Sequence, residues 1–261
     1  MGIAEARLPN GLKVAYLNQL ELNFLYREIF EQQVYLRHGI TVKPGDCVFD
    51  VGANIGLFSL LLSQASPELN LYCFEPIPAV FKALQRNSFL HFSNATLLNL
   101  GLSQSSGAAS LTYYQKCSGW STLYPDPEEV TESLRTYAGN SGSLLPWLRR
   151  LIATRLAKRL LSEQQTITCQ LKTLSEVIQD QNISQINLLK IDAERSELDI
   201  LLGIQPRDWP KIQQLVLEVQ DLENRVVSIE TMLKQQGFTV TAEQQPELKD
   251  TVYYNVYATR L

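Results

Sequence analysis

A short loop of small residues follows an apolar run in the first quarter of this sequence. The run VFDV at 48–51 is typical of a buried strand, and the loop GANIG at 52–56 leads into a helix predicted to begin at 57–63. Small residues let a backbone approach a ligand closely, and the first N–H groups of a helix can bind it. The loop therefore predicts a cofactor site with contacts at Asp50, Gly52, Ala53, Asn54 and Gly56.

Two residues of this loop region indicate which cofactor it binds. Asn54 stands where a dinucleotide-binding loop has its middle glycine, and asparagine is among the few residues that tolerate a left-handed backbone. Asp50, just before the loop, would repel a pyrophosphate but suits the ammonium group of S-adenosylmethionine, directly or through water. The loop therefore favours S-adenosylmethionine over NAD.

An acidic residue ends the next predicted strand, 71–74. Glu75 follows Gly52 by roughly 20 residues, the spacing at which a carboxylate accepts hydrogen bonds from the ribose hydroxyls of an adenosine cofactor. A tight turn beside a solvated glutamate is the alternative. Further cofactor contacts are predicted at Pro76 and, against the adenine, at Gly101 and Leu102.

Carboxylate side chains gather at the ends of two later strands. In the predicted strand 186–192, Lys190 and Asp192 point to one face, and Glu194 follows at the start of a helix. Glu218 ends the neighbouring predicted strand, and parallel strands bring their carboxyl ends together. Because a lysine in an apolar strand is costly to bury unpaired, we expect it to form an ion pair with one of these acids.

These acids form the predicted reaction centre. Removing a proton from a hydroxyl requires a base within hydrogen-bond reach, and we predict Asp192 or Glu194 in this role, or as the group that orients the substrate. Glu218 supports them, and Asp192 also contacts the cofactor. His38 is a second catalytic candidate, or else a helix-end histidine that interacts with the helix dipole. The three acids would also suit Mg²⁺ or Ca²⁺, but no further acid clusters near them in sequence, so a metal is not favoured.

The elements that must position these residues alternate between strand and helix, which is typical of an α/β fold with a doubly wound, mostly parallel sheet. Helices are predicted at 18–39, 57–63, 78–91, 194–203 and 224–236. Strands are predicted at 47–51, 71–74, 96–100, 110–114, 186–192, 214–219, 238–241 and 252–259, the last two as an antiparallel pair. We predict a single domain with an N-terminal helical cap at 1–45, a cofactor-binding half at 46–116, a helical insertion at 117–165 and a second half at 166–261.

The composition of the 261 residues excludes several classes of protein. Lys and Arg number 23 against 27 Asp and Glu, a net charge of −4, so a globally basic nucleic-acid binder is not expected. No apolar run approaches the ~20 residues that span a bilayer, and the N-terminus does not resemble a secretory signal. The four cysteines are expected to be free thiols of a cytoplasmic protein, and two histidines without a CxxC pair do not indicate a zinc site.

The segments VFDVGANIG, FEPIP, LLKIDAERSELDILLGI and LVLEVQD resemble the FkbM-type S-adenosylmethionine-dependent methyltransferases, and the resemblance covers nearly the whole chain. YREIFEQQVYLRHGIT and DWPKIQQLVLEV resemble the O-methyltransferase domains of polyketide and mixed peptide–polyketide assembly lines. The resemblance implies a class I methyltransferase fold with seven strands in the order 3-2-1-4-5-7-6. It also implies methylation of a hydroxyl, often the β-hydroxyl of an acyl chain on an acyl or peptidyl carrier protein, with S-adenosylhomocysteine as the second product.

Two positions depart from the family pattern. Arg195 stands where the common family form has glycine, and Gln220 stands where related sequences often have the histidine of Glu-Val-His. If that histidine is the proton acceptor in relatives, another group must serve here. Trp120 is expected to line the substrate channel or to anchor the packing of the insertion. The basic stretch 149–159 suits an acidic carrier protein or its phosphate, or is a solvated helix face.

Other functions stay open at this point. An NAD-dependent oxidoreductase would need a third glycine and a hydride-transfer site, and Asn54 argues against it. A non-catalytic module that binds S-adenosylmethionine and docks a carrier protein fits the loss of the histidine at Gln220. Methylation of a free small molecule, or of a nitrogen or carbon acceptor, is compatible with the same fold, because one fold serves many acceptors.

Overall fold

A seven-stranded sheet between two layers of helices forms the centre of the computed structural model, which describes residues 2–66, 68–140 and 146–260. The strands are β1 (Ala4–Arg7), β2 (Lys13–Tyr16), β3 (Cys47–Val51), β4 (Asn70–Phe74), β5 (Thr96–Leu98), β6 (Gly101–Leu102), β7 (Gly107–Tyr114), β8 (Gln164–Lys172), β9 (Leu188–Ile191), β10 (Gln214–Gln220), β11 (Thr239–Glu243) and β12 (Tyr253–Thr259). The helices are α1 (Gln19–Tyr26), α2 (Leu57–Ala65), α3 (Pro78–His91), α4 (Pro127–Asn140), α5 (Pro146–Leu161), α6 (Leu174–Asp180), α7 (Glu197–Leu202) and α8 (Arg225–Gln235).

The strands of the main sheet lie in the order β11-β12-β10-β9-β3-β4-β5. Strand β12 runs antiparallel to both of its neighbours, and the other neighbouring strands pair in parallel. Numbered along the chain within this sheet alone, the strands have the order 3-2-1-4-5-7-6, as the family resemblance implies. The predicted α/β class, the parallel sheet and the closing antiparallel pair are confirmed.

Alternate residues of the central strands point to opposite layers of helices. In β3, Val48 joins the core beneath α2 and α3, whereas Phe49 and Val51 join the core beneath α6, α7 and α8. Full burial of one such side chain contributes about 1.5–3 kcal/mol, so these apolar runs hold the sheet together. Asp50 and Lys190 interrupt the apolar pattern on the first face, side by side in the register of β3 and β9.

The N-terminal segment differs from its prediction. It begins with the hairpin β1–β2, which was not predicted, and the predicted helix 18–39 is wrong beyond its first half. Helix α1 ends at Tyr26, a π-helical turn continues it to Glu31, and Gln33 and His38 then adopt positive φ angles of 49° and 50°. A left-handed residue cannot continue a right-handed helix, so the segment bends back over the sheet.

The chain after β9 also departs from its prediction. The predicted helix 194–203 begins only at Glu197, because Glu194 and Arg195 have positive φ angles of 41° and 78°. The predicted strands 186–192 and 96–100 shorten to β9 and β5. These shorter elements leave loops at the carboxyl end of the sheet, where the predicted site residues stand.

A second, three-stranded sheet has the order β6-β8-β7 and carries the insertion. Strand β7 includes the predicted strand 110–114 but lies outside the main sheet. Helices α4 and α5 connect β7 to β8 and cover the carboxyl ends of the main strands. Over the described ranges, none of the helices is long and apolar enough to cross a membrane.

Candidate functional site

A cavity of about 390 Å³ opens at the carboxyl ends of β3, β4, β9 and β10. The loop after β3, the turn after β4 and the loop after β9 form its floor, and α1, α4 and α5 form its roof. Open parallel sheets bind ligands at this end, where the strand order reverses. Most of the predicted site residues line this cavity.

The glycine loop has the backbone that its sequence indicates. Gly52 has a φ of 71°, and a Cβ at this position would lie 1.8 Å from the carbonyl oxygen of Asp192, so only glycine fits. Asn54 adopts the left-handed backbone that was expected of it, with a φ of 51°. A Cβ at Gly56 would lie 2.6 Å from Cδ1 of Leu84. These two glycines therefore let the loop pack closely against the chain that follows β9 and against helix α3.

Glu75 is buried at the wall of the cavity and is held by the glycine loop. Its Oε2 accepts a hydrogen bond from the backbone N–H of Asn54 at 3.1 Å, and its Oε1 accepts one from the N–H of Ile77 at 2.9 Å. Burial raises the pKa of Glu75 to about 7, against the opposing effect of these donors and of Lys190. Beside it, Pro76, Gly101 and Leu102 line the same wall.

Asp50 does not line the cavity, so the structure gives no support for its predicted direct contact with the cofactor. Its side chain is fully buried in the sheet, where Lys190 Nζ lies 3.2 Å from Oδ1 and the Ser59 hydroxyl donates to Oδ2 at 2.8 Å. The strand alternation that places Val48 in the core places Asp50 there too. Ala53 and Gly56 also do not line the cavity and only shape the turn.

Lys190 forms the ion pair that the sequence predicts. Its Nζ donates to the carbonyl oxygen of Gly52 at 2.9 Å and lies 3.6 Å from Oδ2 of Asp192, besides its contact with Asp50. Burial opposes the charge of this lysine, but the carboxylates of Asp50 and Asp192 outweigh burial and raise the pKa of Lys190. The lysine therefore links the sheet core to the floor of the cavity.

The structure brings Asp192, Glu194 and Glu218 together in the cavity. One carboxylate oxygen from each lies within 4.8 Å of one oxygen from each of the others. The Tyr35 hydroxyl donates to Oδ2 of Asp192 at 2.9 Å, and Gln220 Nε2 donates to Oε2 of Glu194 at 2.7 Å. Burial, followed by the charge of Asp192, raises the pKa of both Glu194 and Glu218 well above the usual value.

Two residues of this site were missed from the sequence. Glu28 lines the cavity and is only 7% exposed, and burial and the charge of Asp192 raise its pKa to about 8. Tyr35 is buried beside Asp192. A signal for Glu28 exists, because it stands between Leu25 and Ile29 on the apolar face of the predicted helix, where a charge is unusual.

His38, the second catalytic candidate, does not line the cavity with the carboxylates. Its Nε2 forms a hydrogen bond with Oε2 of Glu243 at 2.8 Å, and its ring lies 4.7 Å from the ring of Tyr257. The left-handed backbone at His38 directs the chain away from the cavity. Neither histidine of the chain lines the cavity.

The roof of the cavity is largely apolar and comes from the insertion and α1. Trp120 lines it, in a short helical turn that Glu21 holds by accepting hydrogen bonds from Ser118 and Gly119. Further apolar side chains of the roof include Leu20, Phe24, Leu25, Leu123, Val130, Leu134, Tyr137, Leu156 and Leu160. The cavity therefore has an apolar roof and a carboxylate-lined floor.

The sheet order, the glycine loop and the buried Glu75 define a Rossmann-like, S-adenosylmethionine-dependent methyltransferase. Residues 50–240 match the family model of the methyltransferase FkbM domain. The chain belongs to the FkbM methyltransferase family, which confirms the resemblance found in the sequence. Its fold is similar to that of methyltransferase FkbM from Methylobacillus flagellatus KT, with a TM-score of 0.52, 15% sequence identity and coverage of 86% of this chain and 46% of that one.

Three curated relatives extend this comparison. The chain is 39% identical to 31-O-demethyl-FK506 methyltransferase FkbM of Streptomyces tacrolimicus, over 97% of this chain and 96% of that protein. It is 34% identical to AMB antimetabolite synthetase AmbE of Pseudomonas aeruginosa, over 98% of this chain but only 12% of AmbE. It is 30% identical to methyltransferase sdnD of Sordaria araneosa, over 87% of this chain and 86% of sdnD.

Proposed function

We propose that this chain is an O-methyltransferase that methylates a hydroxyl of a secondary-metabolite intermediate on an acyl or peptidyl carrier protein. The observation that carries the proposal is that the carboxylates of Asp192, Glu194 and Glu218 line the same cavity as Glu75. The cavity therefore contains both a wall suited to the cofactor and carboxylates that can accept a proton. Methyl transfer to a hydroxyl requires both in one place.

The cofactor side of the cavity fits S-adenosylmethionine. The carboxylate of Glu75 can accept hydrogen bonds from ribose hydroxyls. Gly101 lines the same wall, and a Cβ at this position would lie only 2.8 Å from Cδ2 of Leu171, so a larger residue would disturb the wall. Asp192, which Tyr35 holds in place, adds a negative charge to the same chamber. When bound, S-adenosylmethionine supplies a methyl group on a positively charged sulfur that an acceptor oxygen can displace.

Glu194 is the proposed proton acceptor, with Asp192 as the group that orients the hydroxyl. Gln220 fixes the carboxylate of Glu194 from behind, in the position where related sequences often have histidine. Glu218 stands beside both carboxylates without a protein donor among the described residues. A carboxylate at this place removes the proton of the hydroxyl as its oxygen attacks the methyl group.

Two observations support a carrier-bound acceptor. AmbE is named as a synthetase, and this chain corresponds to a small part of its length. Helix α5 carries exposed basic side chains beside the cavity roof, at Arg150, Arg155, Lys158 and Arg159. These charges would attract an acidic carrier protein or the phosphate of its prosthetic arm.

A free small molecule is the second candidate acceptor. The observation that favours it is the match to 31-O-demethyl-FK506 methyltransferase, which the chain covers over 96% of its length and whose name gives a small-molecule acceptor. The apolar roof of the cavity suits either form of the substrate. The two candidates differ in whether the basic side chains of α5 contribute to substrate binding, which only a carrier-bound acceptor requires.

Intact-mass measurement tests the proposed function. The protein is incubated with labelled S-adenosylmethionine and a β-hydroxyacyl carrier protein, and in parallel with the same acyl chain as a free thioester. We expect one methyl group on the carrier-bound chain, lost in Glu194→Gln and kept in the control Glu128→Gln, an exposed glutamate of α4. Transfer only to the free thioester would favour the second candidate, and cofactor binding without transfer to any acceptor would indicate a non-catalytic module.

A further inference from the structure

Tyr253, the first residue of β12, lines the cavity and is buried, with an exposed fraction of 9%. It pairs with Gln220 across the antiparallel strands β10 and β12. Gln220 Nε2 lies 2.7 Å from Oε2 of Glu194 and 3.4 Å from the hydroxyl oxygen of Tyr253. One amide group therefore places the tyrosine hydroxyl beside the carboxylate of the proposed proton acceptor.

The contact with Gln220 determines which way the hydroxyl proton of Tyr253 can point. The amide nitrogen of Gln220 only donates, so the Tyr253 oxygen accepts from it and its own proton points elsewhere. Within the described ranges of the chain, the Tyr253 hydroxyl donates to no protein oxygen. A buried hydroxyl without an acceptor is costly, so we expect a ligand in the cavity to accept this hydrogen bond.

The surroundings of Tyr253 keep its hydroxyl a hydrogen-bond donor. Burial raises the pKa of Tyr253 well above its usual value, and the charges of Glu194 and Glu218 raise it further. The phenol therefore keeps its proton at neutral pH. An ionised carboxylate only accepts hydrogen bonds, whereas the phenol can donate one, so Glu194 and Tyr253 suit different oxygens of a ligand.

Two unlike groups side by side suit an acceptor molecule that carries two unlike oxygens. A hydroxyl of the acceptor donates to the carboxylate of Glu194, and a carbonyl oxygen, which can only accept, takes the hydrogen bond of Tyr253. A β-hydroxy carbonyl unit carries these two oxygens on carbons that a single carbon separates, so both can reach neighbouring protein groups. Two points of attachment also fix the direction in which the hydroxyl oxygen faces the methyl group.

We propose that the hydroxyl of Tyr253 donates a hydrogen bond to a carbonyl oxygen of the acceptor and so selects β-hydroxy carbonyl compounds over simple alcohols. The role of the neighbouring hydroxyl rests on the proposed function, whereas binding of the carbonyl by Tyr253 requires no methyl transfer. A simple alcohol pairs with Glu194 but leaves the buried phenol without an acceptor. Sites built to hydrogen-bond one substrate group reject analogues that lack it, because their own polar groups are left unpaired.

Calorimetry with two matched acceptors tests this role of Tyr253 without methyl transfer. The first acceptor is a β-hydroxyacyl pantetheine thioester, and the second is the same molecule with a methylene group in place of the carbonyl. Both are titrated into protein that is saturated with S-adenosylhomocysteine. We expect wild type to bind the thioester about tenfold more tightly than the thioether, and Tyr253→Phe to bind the two about equally because it loses affinity for the thioester alone.

Tyr254→Phe is the matched control, because it removes the same hydroxyl from the next residue of β12. Tyr254 packs against the core on the other face of the sheet and does not line the cavity. This variant should bind both acceptors as wild type does, and binding of S-adenosylhomocysteine shows that each variant is folded. Equal wild-type affinities for the two acceptors, no binding of either, or equal losses for both in Tyr253→Phe overturn the proposal.

The carbonyl contact and the proposed function fail in different ways. Thioester binding that depends on Tyr253, together with no methyl group in the intact-mass measurement, would remove the proposed O-methyltransferase activity and keep the carbonyl contact. Methyl transfer to the thioester with kcat/KM unchanged in Tyr253→Phe would keep the activity and remove the contact.

Discussion

Gln220 donates a hydrogen bond from Nε2 to Oε2 of Glu194 at 2.7 Å, and the same nitrogen lies 3.4 Å from the hydroxyl of Tyr253. Gln220 is 4% exposed, so its amide is fixed by its surroundings. Glu194 stands on a left-handed backbone, which turns its side chain into the cavity. The amide therefore positions the carboxylate that we propose as proton acceptor.

The first prediction concerns this hydrogen bond. Gln220→Leu keeps the approximate volume but removes the donor, so we expect kcat to fall about 10- to 100-fold, as for loss of a hydrogen bond to a charged group. KM for S-adenosylmethionine should not change. Gln220→His keeps an N–H donor at this place and should retain most of the activity. Full kcat in Gln220→Leu, measured by steady-state methyl transfer, would show that Glu194 needs no such support.

The second prediction concerns the ion pair of Lys190 with Asp50. Lys190→Met leaves Asp50 buried without its cation, so we expect the free energy of unfolding to fall by about 3–5 kcal/mol. The double variant Lys190→Met/Asp50→Asn should recover part of this loss. Lys234→Met breaks an exposed ion pair with Glu230 and should cost less than about 1 kcal/mol. Urea denaturation of the four proteins measures these differences, and equal losses in Lys190→Met and Lys234→Met would contradict the argument.

The third prediction concerns Glu75 and pH. Burial raises the pKa of this carboxyl to about 7, so it is ionised at pH 8 and becomes protonated as the pH falls through 7. Lys190 and Glu21 are the charged groups that act on it. If the ionised form accepts the ribose hydroxyls, the Kd of S-adenosylhomocysteine should rise below pH 7, by about tenfold per pH unit well below the pKa.

The control for this prediction is Glu75→Gln, which cannot ionise. Its Kd should be about 10- to 100-fold higher at pH 8, because an amide offers fewer acceptors than a carboxylate. It should also depend little on pH between 6 and 8. Calorimetry at several pH values measures both proteins, and a wild-type Kd that does not change across pH 7 would show that ionisation of Glu75 does not control cofactor binding in this range.

The fourth prediction separates backbone strain from close approach in the glycine loop. Gly52 and Gly45 both have positive φ, at 71° and 85°, but a Cβ at Gly52 meets the carbonyl oxygen of Asp192 at 1.8 Å, whereas nothing lies within 4 Å of a Cβ at Gly45. Gly45→Ala should therefore cost only the strain of about 1–2 kcal/mol and keep cofactor binding. Gly52→Ala must displace the loop of Asp192 and should abolish binding of S-adenosylhomocysteine. Binding that survives in folded Gly52→Ala would contradict this reading of the loop.

Much of the fold and of the cofactor wall could be predicted from the sequence, because the signals are local. The apolar run before Gly52 fixes a central strand, and the spacing to Glu75 fixes the end of its neighbour. Asp50 was misplaced for a reason that is also local. Its negative charge suggested a contact with the ammonium group of the cofactor. Strand alternation instead places it on the buried face with Val48, next to Lys190.

The rest of the site depends on contacts between distant parts of the chain. Glu28 lines the same cavity as Asp192 because α1 continues into a π-helical turn and the chain then bends at Gln33. No period in the sequence marks that bend, so the segment 18–39 was predicted as one helix. The same bend carries His38 to Glu243, away from the cavity that the predicted helix would have placed it beside.

The last prediction concerns Arg195, where the common family form has glycine. Its guanidinium donates to the carbonyl oxygen of Tyr124 at 2.8 Å and lies 3.5 Å from Asp126, so it ties the start of the insertion to the loop that carries Glu194. Arg195→Gly removes the strain of a φ of 78°, which should raise the free energy of unfolding by about 1–2 kcal/mol. It also removes the contacts of the side chain with Tyr124 and Asp126 in the insertion. We expect the two effects to offset in the free energy of unfolding, whereas KM for the acceptor rises several-fold and the Kd of S-adenosylhomocysteine stays unchanged. The control is Asp126→Asn, which keeps the hydrogen bond from Arg195 to Tyr124 and should change KM for the acceptor little. Steady-state kinetics measures both variants. An unchanged KM in Arg195→Gly would show that other contacts hold the insertion in place.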